Sequence, residues 1–152
     1  MAKPSLTLVR RIKAPPAKVF DALTRPEMMV QWWGPDPTPP IKAEADLRVG
    51  GRYRVVFSTK DGERHETHGV YREIAPARRL VFTFQWVTFP DREMLVTLDL
   101  APTADGTEIT LLHEQFFDEA VRDDHHQGWN GTFDRLQVLL ETSPERTADA
   151  HA

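Results

Sequence analysis

The stretch from Asp118 to Glu141 constrains this chain more than any other. Asp118 offers an N-cap side chain and Thr142-Ser143-Pro144 offers a stop. Between them His125, Trp129, Thr132, Phe133, Leu136, Leu139 and Leu140 recur at spacings of three and four, the period of one helical face. About 24 residues at the α-helical rise make a rod roughly 36 Å long, enough to cross a small domain. Glu119 to Gln127 is mostly charged and polar, whereas the second half is largely apolar. Gly128 and Gly131 stand at the junction, around Trp129. A glycine inside a helix costs about 1 kcal/mol against alanine, so the pair implies that another strand or a bound molecule approaches the helix backbone. A long rod with one apolar end requires a concave partner.

The remaining sequence supplies one. Leu6 to Ile12 alternates as a strand, with Leu6, Leu8 and Ile12 on one face. Ala14-Pro15-Pro16 ends it, and Val19, Phe20, Ala22 and Leu23 follow with helical spacing. Thr24-Arg25-Pro26-Glu27 opens a second short helix, whose apolar residues are Met28, Met29, Trp32 and Trp33 and which ends at Gly34-Pro35. The run to Pro40 is too rich in proline for regular structure and reads as an ordered loop. Strands are then predicted over Lys42 to Leu47, Arg52 to Ser58, Arg64 to Ile74, Leu80 to Trp86, Glu93 to Leu100 and Thr107 to Gln115. Gly50-Gly51, Lys60-Asp61-Gly62, Ala75-Pro76-Ala77 and Asp105-Gly106 supply turns. The order β-α-α-β-β-β-β-β-β-α with tight turns specifies an antiparallel sheet. The fold class is therefore α+β: a curved seven-stranded antiparallel sheet around a long C-terminal helix, with two short helices after the first strand. The domain runs over residues 6–141, between an N-terminal tail, 1–5, and a loose C-terminal tail, 142–152.

Composition limits the function classes. At 152 residues, 40% of them hydrophobic and 28% charged, the chain reads as one globular domain with a real core. A net charge of -4 provides no footprint for nucleic acid or an anionic membrane. The chain has no cysteine, which excludes disulfides and thiol chemistry. Met1-Ala-Lys-Pro lacks the apolar run of a signal peptide and no stretch reaches membrane-spanning length, so a cytoplasmic location is expected.

The inward-facing positions are unusually aromatic: Tyr53, Phe57, Tyr71, Phe82, Phe84, Trp86, Trp129 and Phe133, with Trp32 or Trp33 at one end. Such a set packs solid or lines a cavity for an apolar ligand, and the residues alone leave both open. Trp32-Trp33-Gly34-Pro35, Asp46 to Tyr53, Gly69 to Ile74, Arg79 to Thr83, His113 and Gly128-Trp129 occur in one order. In these the chain resembles homologues of the C-terminal domain of the activator of the Hsp-ninety ATPase, a branch of the START-like, or Bet v 1-like, SRPBCC superfamily. The resemblance spans roughly Leu6 to Leu140. It implies the helix-grip fold and a cavity between sheet and long helix that holds a hydrophobic small molecule. It does not imply one activity.

Other patterns have plainer readings. His65-Glu66-Thr67-His68 is one residue short of a zinc-protease motif, and on a strand its histidines point to opposite faces, so an exposed polar strand is expected. Asp123-Asp124-His125-His126 reads as a solvated helix start, because adjacent helical residues diverge. His113 alternates with Ile109 and Leu111 and turns inward toward His125 and Trp129, as a hydrogen-bonded core histidine or a ligand-orienting group. Trp32 and Trp33 are adjacent on a helix and so point about 100° apart. One is expected to anchor the helix pair, and Trp33 to stand exposed at a cavity mouth or contact a second chain.

The expected function is binding of a small hydrophobic or aromatic molecule. Its ligand-binding residues would be Trp33, Tyr53, Phe57, Tyr71, Phe82, Phe84, Trp86, Leu98, His113, His125, Gly128, Trp129 and Phe133. No catalytic group, metal or cofactor is assigned. The expected partner is the small ligand, with a homodimer as a candidate assembly. The rivals are a cyclase- or hydrolase-type enzyme using the same cavity, or a chaperone-interaction module acting through a surface.

Overall fold

The computed structural model describes residues 3–34 and 42–150, and the side chains of these as far as residue 141. The proline-rich run after Gly34 lies outside the described residues. The strands are β1 (Leu6–Ile12), β2 (Lys42–Ala45), β3 (Arg52–Ser58), β4 (Arg64–Ala75), β5 (Arg79–Trp86), β6 (Met94–Thr103) and β7 (Gly106–Glu114). The helices are α1 (Pro16–Thr24), α2 (Pro26–Trp32) and α3 (Glu119–Ala150). The seven strands form one sheet in the order β1-β7-β6-β5-β4-β3-β2, with every neighbouring pair antiparallel. This is the helix-grip architecture.

Local chemistry curls the sheet. Between β4 and β5 the register slips from Tyr71 to Glu73, a bulge that sharpens the twist. Beside it Gly69 approaches the neighbouring strand so closely that a Cβ would fall 1.9 Å from the Thr83 carbonyl oxygen. The Thr83 hydroxyl accepts the Val70 amide at 2.8 Å, and the Tyr53 hydroxyl donates to the Thr83 carbonyl at 2.7 Å. Polar groups freed by the irregularity are thus recaptured within the core.

Asp118 caps α3 as its sequence predicts, its Oδ1 accepting the Val121 amide at 2.9 Å. Trp129, Phe133, Leu136 and Leu140 are buried against the sheet. Two anchors fix the helix. Arg10 of β1 donates to Asp134, Gln137 and Asn130, and Arg135 donates to the carbonyls of Gln31, Trp33 and Gly34 at the end of α2. The expected stop at Pro144 is corrected: α3 continues to Ala150, so residues 142–150 extend the helix instead of forming a loose tail. Proline lacks an amide donor and crowds the carbonyl four residues earlier, but the residues after it, Glu145, Arg146 and Ala148, are tolerant helix formers and no glycine follows.

The expected exposure of Trp33 is also corrected. Trp32 and Trp33 are 1% and 6% exposed, and both lie in the core. Trp33 is the C-cap of α2, with extended backbone (φ −68°, ψ 138°), so the angular separation of consecutive helical residues does not apply to it. Its ring turns back beside Trp32, 5.1 Å between centroids. The Trp32 indole donates to the Ala22 carbonyl at 2.7 Å and binds α2 to α1.

Candidate functional site

The space between sheet and α3 is filled at one end and hollow at the other. A cavity of about 800 Å³ lies over the polar half of α3. Val121, Asp124, His125, Gly128, Trp129 and Thr132 line it at helical spacing, and Phe57, His65, Phe84, Trp86 and Met94 line it from the sheet. Trp33 and Gly34 close its inner end, while Phe89, Arg92 and Phe117 stand on loops at its rim. Phe89 and Phe117 are 47% and 55% exposed. Gly128 opens directly on this space, since a Cβ there would meet nothing within 4 Å. The glycine accommodates no neighbouring strand.

The expected lining residues divide between these two regions. Trp33, Phe57, Phe84, Trp86, His125, Gly128 and Trp129 line the cavity. Tyr53, Tyr71 and Phe82 pack on one another at the filled end, around a void of about 10 Å³ that they share with Leu23, Met29, Trp33 and Leu80. Leu98 and Phe133 are core residues away from the cavity wall. Alternation specifies the face a strand residue takes but not its distance along the helix axis, which is why Tyr53, Tyr71, Phe82 and Leu98 fall outside the lining; Phe133 lies on α3 itself.

His113 stands immediately behind the wall. Its ring lies 5.0 Å from Phe84, 4.3 Å from Phe116 and 5.3 Å from His125. The Trp129 indole donates to its Nδ1 at 3.0 Å, so the neutral ring carries its proton on Nε2, a buried atom with no hydrogen-bond partner among the described residues. Burial, then the neighbouring His125, pushes its pKa well below the ordinary 6.5. In His125 the Trp86 indole donates to Nε2 at 2.8 Å and Nδ1 donates to the Val121 carbonyl at 2.8 Å. Burial lowers this pKa too, against the Val121 carbonyl and Asp124. Each imidazole is thus held neutral, with its lone pair occupied by an indole N–H. Neither offers a free base to the cavity in this arrangement.

Several lining residues escaped the sequence reading. His65 was read as part of an exposed polar strand, yet its ring stacks on Phe57 at 5.4 Å and meets Trp86 at 6.2 Å. Its partial cover comes from cross-strand pairing with Phe57, which a single-strand reading does not reveal. Phe89, Arg92 and Phe117 belong to loops and carry no periodic signal. Their one clue was the occurrence of large aromatics in turn-rich segments. Asp123, Asp124 and His126 are exposed, as a solvated helix start requires. Among the described residues no group of three or more His, Cys, Asp or Glu is placed to hold a metal, and no helix is long and apolar enough to cross a membrane.

Comparison with known proteins agrees with this architecture. Protein CV1439 from Chromobacterium violaceum is 29% identical and superposes with a TM-score of 0.81, over 91% of this chain and 98% of that one. Protein NE0264 from Nitrosomonas europaea is 26% identical with a TM-score of 0.79, over 93% and 96% of the two chains. The AHSA1-like protein from Aeromonas hydrophila shares the fold at 19% identity, with a TM-score of 0.79 over 93% and 94%. No curated protein matches the sequence. The family model for activator of Hsp90 ATPase homolog 1-like proteins matches residues 13–141, from just after β1 through the buried length of α3. The chain is therefore a member of the activator of Hsp90 ATPase homolog 1-like family.

Proposed function

We propose that this domain binds one small hydrophobic or aromatic molecule in the cavity between the sheet and the first half of α3. The observation that carries this reading is the hollow itself: about 800 Å³ walled by Phe57, Phe84, Trp86, Trp129 and Met94. The volume falls within the range of small-molecule sites, and large aromatic side chains supply most of the wall surface, with charged residues such as Glu63, Arg64 and Asp124 also bordering it. The two neutral histidines act as supports, since their indole partners fix Trp86 and Trp129 as walls. The chaperone-activator reading rests on family membership alone.

Titration with the neutral fluorophore N-phenyl-1-naphthylamine tests the proposal. Saturable one-to-one binding to the folded protein is expected, with reduced affinity in Gly128→Leu, whose side chain would enter the cavity. Fluorescence enhancement only on unfolding, or binding indifferent to the Gly128 substitution, would refute it.

A further inference from the structure

The rim of the cavity carries a cation in an unusual setting. Arg92, in the β5–β6 loop, places its guanidinium carbon 4.2 Å from the ring centroid of Phe89 and 3.8 Å from that of Phe117. Phe117 belongs to the β7–α3 loop, so the arginine joins the two loops that flank the opening. Aromatic faces attract the cation but leave its N–H groups without oxygen acceptors. The Arg92 side chain makes no hydrogen bond and no ion pair among the described residues, and it is half-buried. By contrast Arg10, Arg54 and Arg79 are each paired with carboxylates.

The acidic groups of the lining are differently placed. Glu66 is engaged by Arg54 at 2.6 Å, and Glu63 lies largely in water, 3.8 Å from His65. Asp124 is exposed near the start of α3, where the helix dipole favours a negative charge. These carboxylates already have a partner, a dipole or water. Arg92 instead has unfilled donors between two rings at the mouth of the chamber, whereas Arg64, the other arginine of the lining, is exposed to water.

We propose that the cavity takes an amphipathic carboxylate, its apolar body within and its carboxylate on Arg92 at the rim. The inference rests on the ligand-binding reading above and adds the class and orientation of the ligand. A planar carboxylate matches the fork of guanidinium donors, and the two rings cover the faces of the cation while leaving its N–H edge open to the ligand. Thr132 also borders the cavity, and its hydroxyl can meet one polar substituent on the body of the ligand.

Competition at pH 8 separates the alternatives. Decanoate, decanol and decylamine, each below its micelle-forming concentration, would displace N-phenyl-1-naphthylamine from the intact chain. Decanoate should compete at least tenfold better than decanol, and decylamine worst. Arg92→Gln should remove the advantage of decanoate and leave decanol unchanged, while Arg92→Lys keeps part of it. Equal competition by decanoate and decanol would overturn the carboxylate assignment and leave apolar binding intact. Preference for decylamine would transfer the head group to Asp124 and Glu63. Equal loss of both ligands in Arg92→Gln would reduce the arginine to a brace between loops. Absence of probe binding in the unmodified protein would overturn this inference together with the reading on which it rests.

Discussion

At the residue scale the Trp129–His113 and Trp86–His125 pairs link packing to protonation. Both histidines have pKa values lowered in the folded protein, chiefly by burial. As pH falls through the ordinary value of about 6.5, the unfolded chain takes up protons before the folded one. Stability from these groups is therefore full above that value and declines toward the lowered folded values. The limiting slope is about 1.4 kcal/mol per pH unit for each histidine. Denaturant titration should show a loss of up to about 2 kcal/mol between pH 6.5 and 5.5, and His113→Asn should flatten this dependence. A stability curve flat over that interval would contradict the neutral assignments. Gly128 supplies a second residue-scale prediction. Gly128→Ala should gain up to about 1 kcal/mol of helix stability, because its methyl group meets no protein atom. Probe affinity should fall, measurable by titration of the fluorophore, since the methyl group projects into the cavity.

At the scale of elements, α2 acts as a bulkhead between the filled and hollow ends. Trp33 borders both the large cavity and the small void among Tyr53, Tyr71 and Phe82. It stacks near Phe84, 6.5 Å between centroids, and meets the edge of Trp129 at 6.2 Å. Trp32→Ala and Trp33→Ala should each lose about 3–5 kcal/mol in thermal or chemical denaturation, the usual range for a large aromatic truncated in a core. Only Trp33→Ala should also admit larger probes, because it joins the void to the cavity. The cap of α3 predicts a smaller effect. Asp118→Ala should cost about 1 kcal/mol, and faster amide exchange should be confined to the first turns, beside Val121 and His125.

At the scale of the whole molecule, the curved sheet, the helix pair and the grip of α3 could be read from spacing alone. Alternation in Leu80, Phe82, Phe84 and Trp86 identifies an inward face. It cannot tell that Phe82 packs solid while Phe84 and Trp86 face a hollow, because that depends on how far along α3 each strand position falls. The polar first half of the helix concealed the cavity, since a charged outer face and a lining inner face share those residues. Loop residues such as Arg92 and Phe117 were illegible for want of any period. Proline signalled a stop at residue 144, whereas α3 continues to Ala150.

The central claim is that the hollow half of the grip receives a ligand, and the four tryptophans report on it directly. Trp33, Trp86 and Trp129 line the cavity, whereas Trp32 is sealed in the core with its indole bonded to Ala22. In a ¹H–¹⁵N correlation spectrum each indole N–H gives its own signal, assignable by single Trp→Phe substitutions. Titration with N-phenyl-1-naphthylamine should shift the Trp33, Trp86 and Trp129 signals together, saturating at one equivalent, with Trp32 stationary. Unshifted indoles at saturating probe, or movement of Trp32 alone, would contradict the account.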